Sequence, residues 1–252
     1  MAKVLFYDIE TAPNLGYIWG QYEQNVLSHV REWYILCVSF RWEGSKKTEC
    51  VSLPDFPVAY KKDPENDKLV VQKMWDLFEE ADVIVAHNGD HFDYRKASAR
   101  FIYHDMGPPA KPQSVDTLKW ARKHFMFNSN KLGDLGQHLG LGNKEATGGF
   151  KLWAGCMRGD AKSWRTMIKY AKQDVTLLQK VYNKLRPWST NHPNMNTVDG
   201  KKDACPTCGS NQLISRGSYR TKVSTFKRLS CKACGAFCRS RKSTSSPTNL
   251  TT

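Results

Sequence analysis

Three separated stretches carry residues whose types and spacing suit chemistry on a charged substrate. Asp8 and Glu10 stand one residue apart at the end of the apolar run Val4-Leu5-Phe6-Tyr7. Asp93 closes the stretch His87-Asn88-Gly89-Asp90-His91-Phe92-Asp93, and Tyr170 precedes Asp174 by four residues. On a strand side chains alternate in direction, so Asp8 and Glu10 emerge on one side. Two carboxylates held that close repel each other, and a divalent cation between them is the usual remedy. For Asp-x-Glu taken alone, the competing account is a solvated strand end that begins the turn into Pro13.

A second set lies near the carboxyl terminus. Cys205-Pro-Thr-Cys208-Gly209 and Cys231-Lys-Ala-Cys234-Gly235 repeat one Cys-x-x-Cys-Gly knuckle, with 22 residues between Cys208 and Cys231. This is the ligand spacing of a four-thiolate zinc site, and each Gly lets the backbone turn so that amides face the sulfurs. Cys238 falls outside the repeat and is a spare.

The elements that must position these residues follow from periodicity. Lys3 to Tyr7 reads as a strand. Ala12 to Arg31 mixes Pro, Asn and Gly with Tyr17, Trp19 and Tyr22, and is expected to be a long loop with one helical turn. Trp33 to Trp42 and Lys47 to Leu53, joined by Glu43-Gly44-Ser45-Lys46, form an antiparallel hairpin beside the first strand. Pro54 to Pro64 is a loop. Asp67 to Glu80 carries Leu69, Val70, Met74, Leu77 and Phe78 at helical spacing. The all-apolar Val83-Ile84-Val85-Ala86 suits a strand buried on both faces, with a helix to about Tyr103 beyond it. Ser114 to Leu118, ending its strand at Asp116, precedes helical segments near Trp120–His124 and Lys131–Leu139. Asn143 to Gly159 reads as a flexible connection. Asp160 caps a long helix with an apolar stripe from Trp164 to Leu185, stopped by Pro187; on it Tyr170 and Asp174 share a face.

The charge of +14 is concentrated at one end: residues 201–252 hold eleven Lys or Arg against the single acid Asp203, a balance of +10, leaving +4 for residues 1–200. Such a block points to a polyanion, most often nucleic acid, with simple solubility as the alternative. No apolar run approaches the eighteen residues of a membrane span, and the amino terminus lacks a signal-peptide pattern. A cytoplasmic protein with no membrane partner is expected. Eight cysteines in that setting argue against a disulfide framework.

Taken in order, Asp8-x-Glu10, Asn88 with Phe92-Asp93, and Tyr170-x-x-x-Asp174 resemble the three motifs of the DEDD exonucleases of the RNase H-like superfamily, a group related to DnaQ. Tyr four residues before the last Asp resembles the DEDDy subfamily. The likeness spans residues 1 to 187. The runs from Asp8 to Trp19 and from Asn130 to Leu141 are similar to those of stand-alone nucleases encoded by bacteriophages. The resemblance implies an α/β fold with a mixed central sheet flanked by helices, and 3′ to 5′ hydrolysis of single-stranded DNA or RNA, DNA favoured. It implies two Mg²⁺ or Mn²⁺ ions as cofactors, because hard oxygen ligands select these over zinc and two such ions serve the attacking and leaving oxygens. Asp8 then bridges both ions, Glu10 and Asp174 hold the ion that activates water, Asp93 serves the leaving-group ion, and Tyr170 orients the water. Thr11, Trp19, Asn88 and Phe92 are the expected nucleotide contacts.

The expected layout is an exonuclease domain over 1–188, a linker over 189–203, a zinc ribbon over 204–240 and a disordered tail over 241–252. One structural Zn²⁺ replaces the core that so short a module lacks. Arg216, Arg220, Lys222, Lys227 and Arg228 are expected along one side of the ribbon, where they hold nucleic acid; a ribbon that docks protein is the alternative. The alternative for the whole chain is a nuclease fold that serves as an idle binding platform. Oligomeric state is not readable from these residues.

Overall fold

The computed structural model describes residues 2–20, 22, 25–143 and 148–245. In chain order the elements are β1 (Val4–Thr11), β2 (Leu15–Tyr17), β3 (Ser28–Arg31), β4 (Ile35–Trp42), β5 (Glu49–Ser52), α1 (Pro57–Lys62), α2 (Lys68–Glu80), β6 (Val83–Ala86), α3 (Asp93–Tyr103), β7 (Gln113–Asp116), α4 (Thr117–His124), α5 (Leu132–His138), α6 (Phe150–Met157), α7 (Ala161–Leu185), α8 (Met195–Asp199), β8 (Leu213–Arg220), β9 (Thr225–Cys231) and β10 (Phe237–Ser243).

The main sheet has the order β5-β4-β1-β6-β7. β1 pairs antiparallel with β4, and β4 with β5, whereas β1–β6 and β6–β7 are parallel. Both faces are covered, which is why Val4 to Tyr7 and Val83 to Ala86 are buried without alternation. Alternation instead sorts β1 between two layers. Leu5, Tyr7 and Ile9 join the core under α2 and α3. Val4 and Phe6 join the core under α4, α5 and the carboxyl half of α7, where Phe6 meets Tyr182 edge to face at 5.1 Å. This is the expected RNase H-like mixed sheet flanked by helices.

The buried carboxylate of Asp67 ties the second layer to the sheet. It accepts from the Ile35 amide at 2.8 Å and pairs with Arg100 and His104 of α3 and its end, fixing the helix that begins at Asp93. The long helix α7 starts where expected, because the Asp160 side chain accepts from the Lys162 and Ser163 amides.

Several expected loops are structured. In the stretch expected to be a loop with one helical turn, Leu15–Tyr17 and Ser28–Arg31 pair as the antiparallel strands β2 and β3, with β-branched Val30 within the second, while residues 21, 23 and 24 lie outside the described residues. Between Pro54 and Pro64 lies α1, with Pro57 at its first position, the one place in a helix where a missing N–H costs nothing. The stretch expected to be a flexible connection contains α6, since burial of Leu152 and Cys156 overrides the Gly-rich composition.

The segment 189–203, expected to be a linker, is anchored to the domain at His192 and Met195. His192 stacks near Trp120 and Tyr182, the Tyr182 hydroxyl donates to His192 Nε2 at 2.7 Å, and Met195 of α8 is buried in the α7 core. The ribbon is a three-stranded sheet in the order β10-β9-β8, and β10 runs to Ser243, past the expected boundary at 240. Of the expected tail, 246–252 lie outside the described residues. Among the described residues no helix is long and apolar enough to cross a membrane.

Candidate active site

Asp8 and Glu10 continue the face of β1 that begins with Val4 and Phe6. The same face that is apolar under Tyr182 at Phe6 becomes acidic two and four residues further along. Eight residues back along α7 from Tyr182, about 12 Å at ~1.5 Å per residue, comes Asp174. The strand advances a comparable distance from Phe6 to Glu10. One strand and one helix packed face to face therefore bring Asp8, Glu10 and Asp174 together, each offering an oxygen within 4.8 Å of the others. Asp174 is buried and the other two are half-buried. Three hard, anionic oxygens in that space are a donor set for Mg²⁺ or Mn²⁺.

Tyr170 lies one turn before Asp174, nearly buried, with its ring against Trp153 of α6 at 6.3 Å. The helix that composition concealed thus positions the phenol beside the acids.

The structure places Asp93 next to this trio but outside it. The parallel pairing of β1 with β6 ends at Phe6, and Asp93 Oδ1 takes over on that edge, accepting the Ile9 amide at 3.2 Å. Burial pushes its carboxyl up to about 7, the amides of Ile9 and Asp93 itself pull it down, and Asp116 adds to the rise. The turn that delivers Asp93 needs its residue types. Asn88 has φ 69°, a conformation Asn tolerates, and a Cβ on Gly89 would lie 2.4 Å from that of Ala86. The Asn88 amide donates to Asp116 Oδ1 at 2.9 Å, so Asp116 holds this turn as well as capping α4.

A cleft of about 460 Å³ opens beside Asp8 and Asp174. Asn88 lines it, and so do Arg122, Asn128, Asn130 and Lys131, none of which the motifs single out. His87 bonds the carbonyl of Asn130 through Nε2 at 2.8 Å and meets the Thr117 hydroxyl through Nδ1 at 2.9 Å, which seats the α4–α5 connection on the cleft. Arg122 and Lys131 have no ion-pair partner among the described residues. The Asn130–Leu141 run is the only trace in the sequence that this segment belongs to the site.

Of the other expected nucleotide contacts, Thr11 and Phe92 flank the acidic end of β1, and Trp19 stands on the separate β2–β3 sheet. Thr11 is the last residue of β1. Trp19 follows β2 and is 87% exposed. Phe92 is part-exposed, with the Lys96 ammonium 5.6 Å from its ring and 3.5 Å from that of Trp33.

In the ribbon the sulfurs of Cys205, Cys208, Cys231 and Cys234 also converge within 4.8 Å. Cys205–Cys234 and Cys208–Cys231 stand 3.7 and 3.6 Å apart, close to the ~3.8 Å edge of a tetrahedron with Zn–S bonds of ~2.3 Å. The two knuckles have matching frameworks. The Cys205 amide donates to Ser210 and Gly209 donates back to Cys205; the Cys231 amide donates to Ala236 and Gly235 back to Cys231. Gly209 and Gly235 both have left-handed φ, 68° and 78°. The set fits zinc, and Cys238 is not part of it. The knuckles pack at the amino-terminal end of β1, where Cys208 and Cys234 share a cavity with Ala2, Glu43 and Arg186. That is the opposite end of the strand from the acids, about 20 Å away at ~3.3 Å per residue.

The ribbon cations do not share one side. Lys227 and Arg228 are neighbours on β9 and project to opposite faces, and Arg220, opposite Thr225, goes with Lys227.

A family model described as RNase_H superfamily matches residues 5–186, and the chain belongs to that superfamily. Among solved structures it is similar to the family B DNA polymerase from the hyperthermophilic archaeon Pyrobaculum calidifontis, with a TM-score of 0.55 and 16% identity. The match covers 75% of this chain and 25% of the polymerase, so the chain spans only a quarter of that protein's length. The likeness is one of fold. Comparison with curated proteins found no match.

Proposed function

We propose that this chain is a metal-dependent 3′ to 5′ exonuclease that hydrolyses single-stranded nucleic acid, DNA before RNA, with the zinc ribbon assisting substrate engagement. The observation that carries the reading is the meeting of Asp8, Glu10 and Asp174 within 4.8 Å beside a cleft that also presents Arg122 and Lys131. Membership of an RNase H-like superfamily supports it.

In this reading Asp8, Glu10, Asp174 and Asp93 would hold two Mg²⁺ or Mn²⁺ ions of the DEDD type, which would supply charge neutralisation at the phosphate and a water of lowered pKa. Tyr170 orients that water by hydrogen bond and is kept in place by Trp153. Arg122 and Lys131 neutralise phosphate oxygens in the cleft, and Asn88 and Asn130 offer amide groups to the terminal nucleotide. Phe92 and Trp19 give surfaces on which bases stack. Cys205, Cys208, Cys231 and Cys234 hold one structural Zn²⁺.

The test is cleavage of 5′-labelled single-stranded DNA and RNA with Mg²⁺ or Mn²⁺, beside Asp8→Ala. A ladder shortening from the 3′ end, dependent on the ion and lost in the variant, is expected. Cleavage that persists undiminished in Asp8→Ala would overturn the assignment.

A further inference from the structure

The two faces of the ribbon differ in kind. Pairing of Tyr219 with Phe226, of Arg239 with Arg228 and of Phe237 with Ser230 sets Tyr219, Phe226, Arg228, Phe237 and Arg239 on one face. Across the three strands guanidinium and ring interleave: the Arg239 guanidinium carbon lies 4.0 Å from the Phe226 ring centre and 5.6 Å from that of Tyr219, and that of Arg228 lies 5.8 Å from Phe237. Tyr219 is 46% and Phe237 61% exposed. The opposite face carries Arg220 and Lys227 with Leu229 and Cys238, and no aromatic ring.

The small module owes its fold to a metal site, so these rings are not needed for a core, and exposed rings in so basic a segment call for a partner. The chemistry of the face limits what that partner is. An apolar protein surface would bury two guanidinium groups without counter-charge, which is costly. A nucleic-acid strand supplies both complements at once: bases present a π-face to each ring, and phosphates present charge to each guanidinium. Single strands alone expose base faces, so a duplex satisfies only half of the surface.

We propose that the Tyr219–Phe226–Phe237 face of the ribbon is a stacking platform for single-stranded nucleic acid, with Arg228 and Arg239 taking its phosphates and Arg220 and Lys227 outside the contact. The proposal rests on the nuclease reading only for the identity of that strand as the substrate, held by a part of the molecule remote from the acids.

The test measures Kd of the full-length chain for a labelled thymidine 20-mer over a range of salt, without added divalent cation so that cleavage does not intervene. Zinc content confirms that each variant keeps its ribbon. The double variant Tyr219→Ala/Phe237→Ala is expected to bind at least about tenfold more weakly with its salt slope unchanged, since stacking is lost and no charge is. Arg228→Gln/Arg239→Gln is expected to weaken binding and flatten the log–log slope by about 1.4, at ~0.7 per phosphate on a single strand. Arg220→Gln/Lys227→Gln, removing the same charge, is expected to move the slope by less than half as much. Wild-type affinity in the aromatic variant, or equal slope changes in the two charge pairs, would overturn the platform. Binding of poly-glutamate that needs Tyr219 and Phe237, with thymidine binding untouched, would overturn it in favour of an acidic protein. These readouts involve no cleavage, so they stand or fall separately from the Asp8→Ala assay.

Discussion

The acidic cluster and the cysteine cluster each gather side chains into a space of 4.8 Å, and they are built in opposite ways. The cysteines come from two copies of one local turn, each closed by its own pair of backbone hydrogen bonds and its own left-handed glycine. The acids come from β1 and α7, more than 160 residues apart, and meet because a strand and a helix are packed in phase. The cysteine site can be broken from within its knuckles. The acidic site depends on every layer that holds its strand and helices in place.

The largest effect that would sharpen this contrast is expected in the ribbon. Replacing Cys205 with Ser should lower zinc from one ion per chain to near zero and open 204–243 to proteolysis, because metal binding supplies the folding free energy of such a module. The acidic domain should resist protease in the same sample. Retention of a full zinc ion would show that Cys238 or another ligand substitutes, and the two-knuckle account would fail.

Arg100→Met should destabilise the RNase H-like domain by about 3 kcal/mol in urea unfolding, since it leaves the buried Asp67 without its guanidinium partner. It should also lower cleavage through the displacement of α3 and Asp93. A loss below about 1 kcal/mol would mean that His104 alone sustains Asp67 and that α3 is not held this way.

The packed segment between the two sites should respond to pH. Burial lowers the pKa of His192 below its ordinary 6.5, and its Nδ1–H is committed to the Pro193 carbonyl at 2.7 Å. In the window between that depressed value and 6.5 the unfolded chain binds more protons, so stability should fall as pH drops through it. His192→Phe should remove this component of the pH slope of Tm; an unchanged slope would place the acid sensitivity elsewhere. The smallest effect is expected from Trp153→Ala. It should lower kcat several-fold with KM little changed by loosening Tyr170, and a change confined to KM would mean that Trp153 contacts substrate instead.

The same contrast explains what was legible in the chain. Residues whose neighbours in space are neighbours in sequence could be read directly: both knuckles, the strand alternation of Asp8 and Glu10, the Asp160 cap and the α7 stripe. Where tertiary contacts decide, composition misled. Leu152, Trp153 and Cys156 make a helix of a Gly-rich connection, and Met195 and His192 pack a segment expected to be a linker. Lys131 enters the cleft beside Arg122 of α4 because His87 bonds both Thr117 at the start of that helix and Asn130 in the connection after it, and no periodicity carries that information. The ribbon cations expected on one side divide between two for a simpler reason: adjacent residues on a strand cannot share a face, so Lys227 and Arg228 separate.

The central claim is that Asp8, Glu10 and Asp174 form a divalent-cation site. Its most direct test is Mn²⁺ binding by calorimetry to the zinc-loaded wild-type chain and to Asp8→Ala. Two Mn²⁺ ions per wild-type chain, with binding lost or weakened at least a hundredfold in the variant, is the predicted result; equal Mn²⁺ affinity and stoichiometry in the two proteins would contradict it.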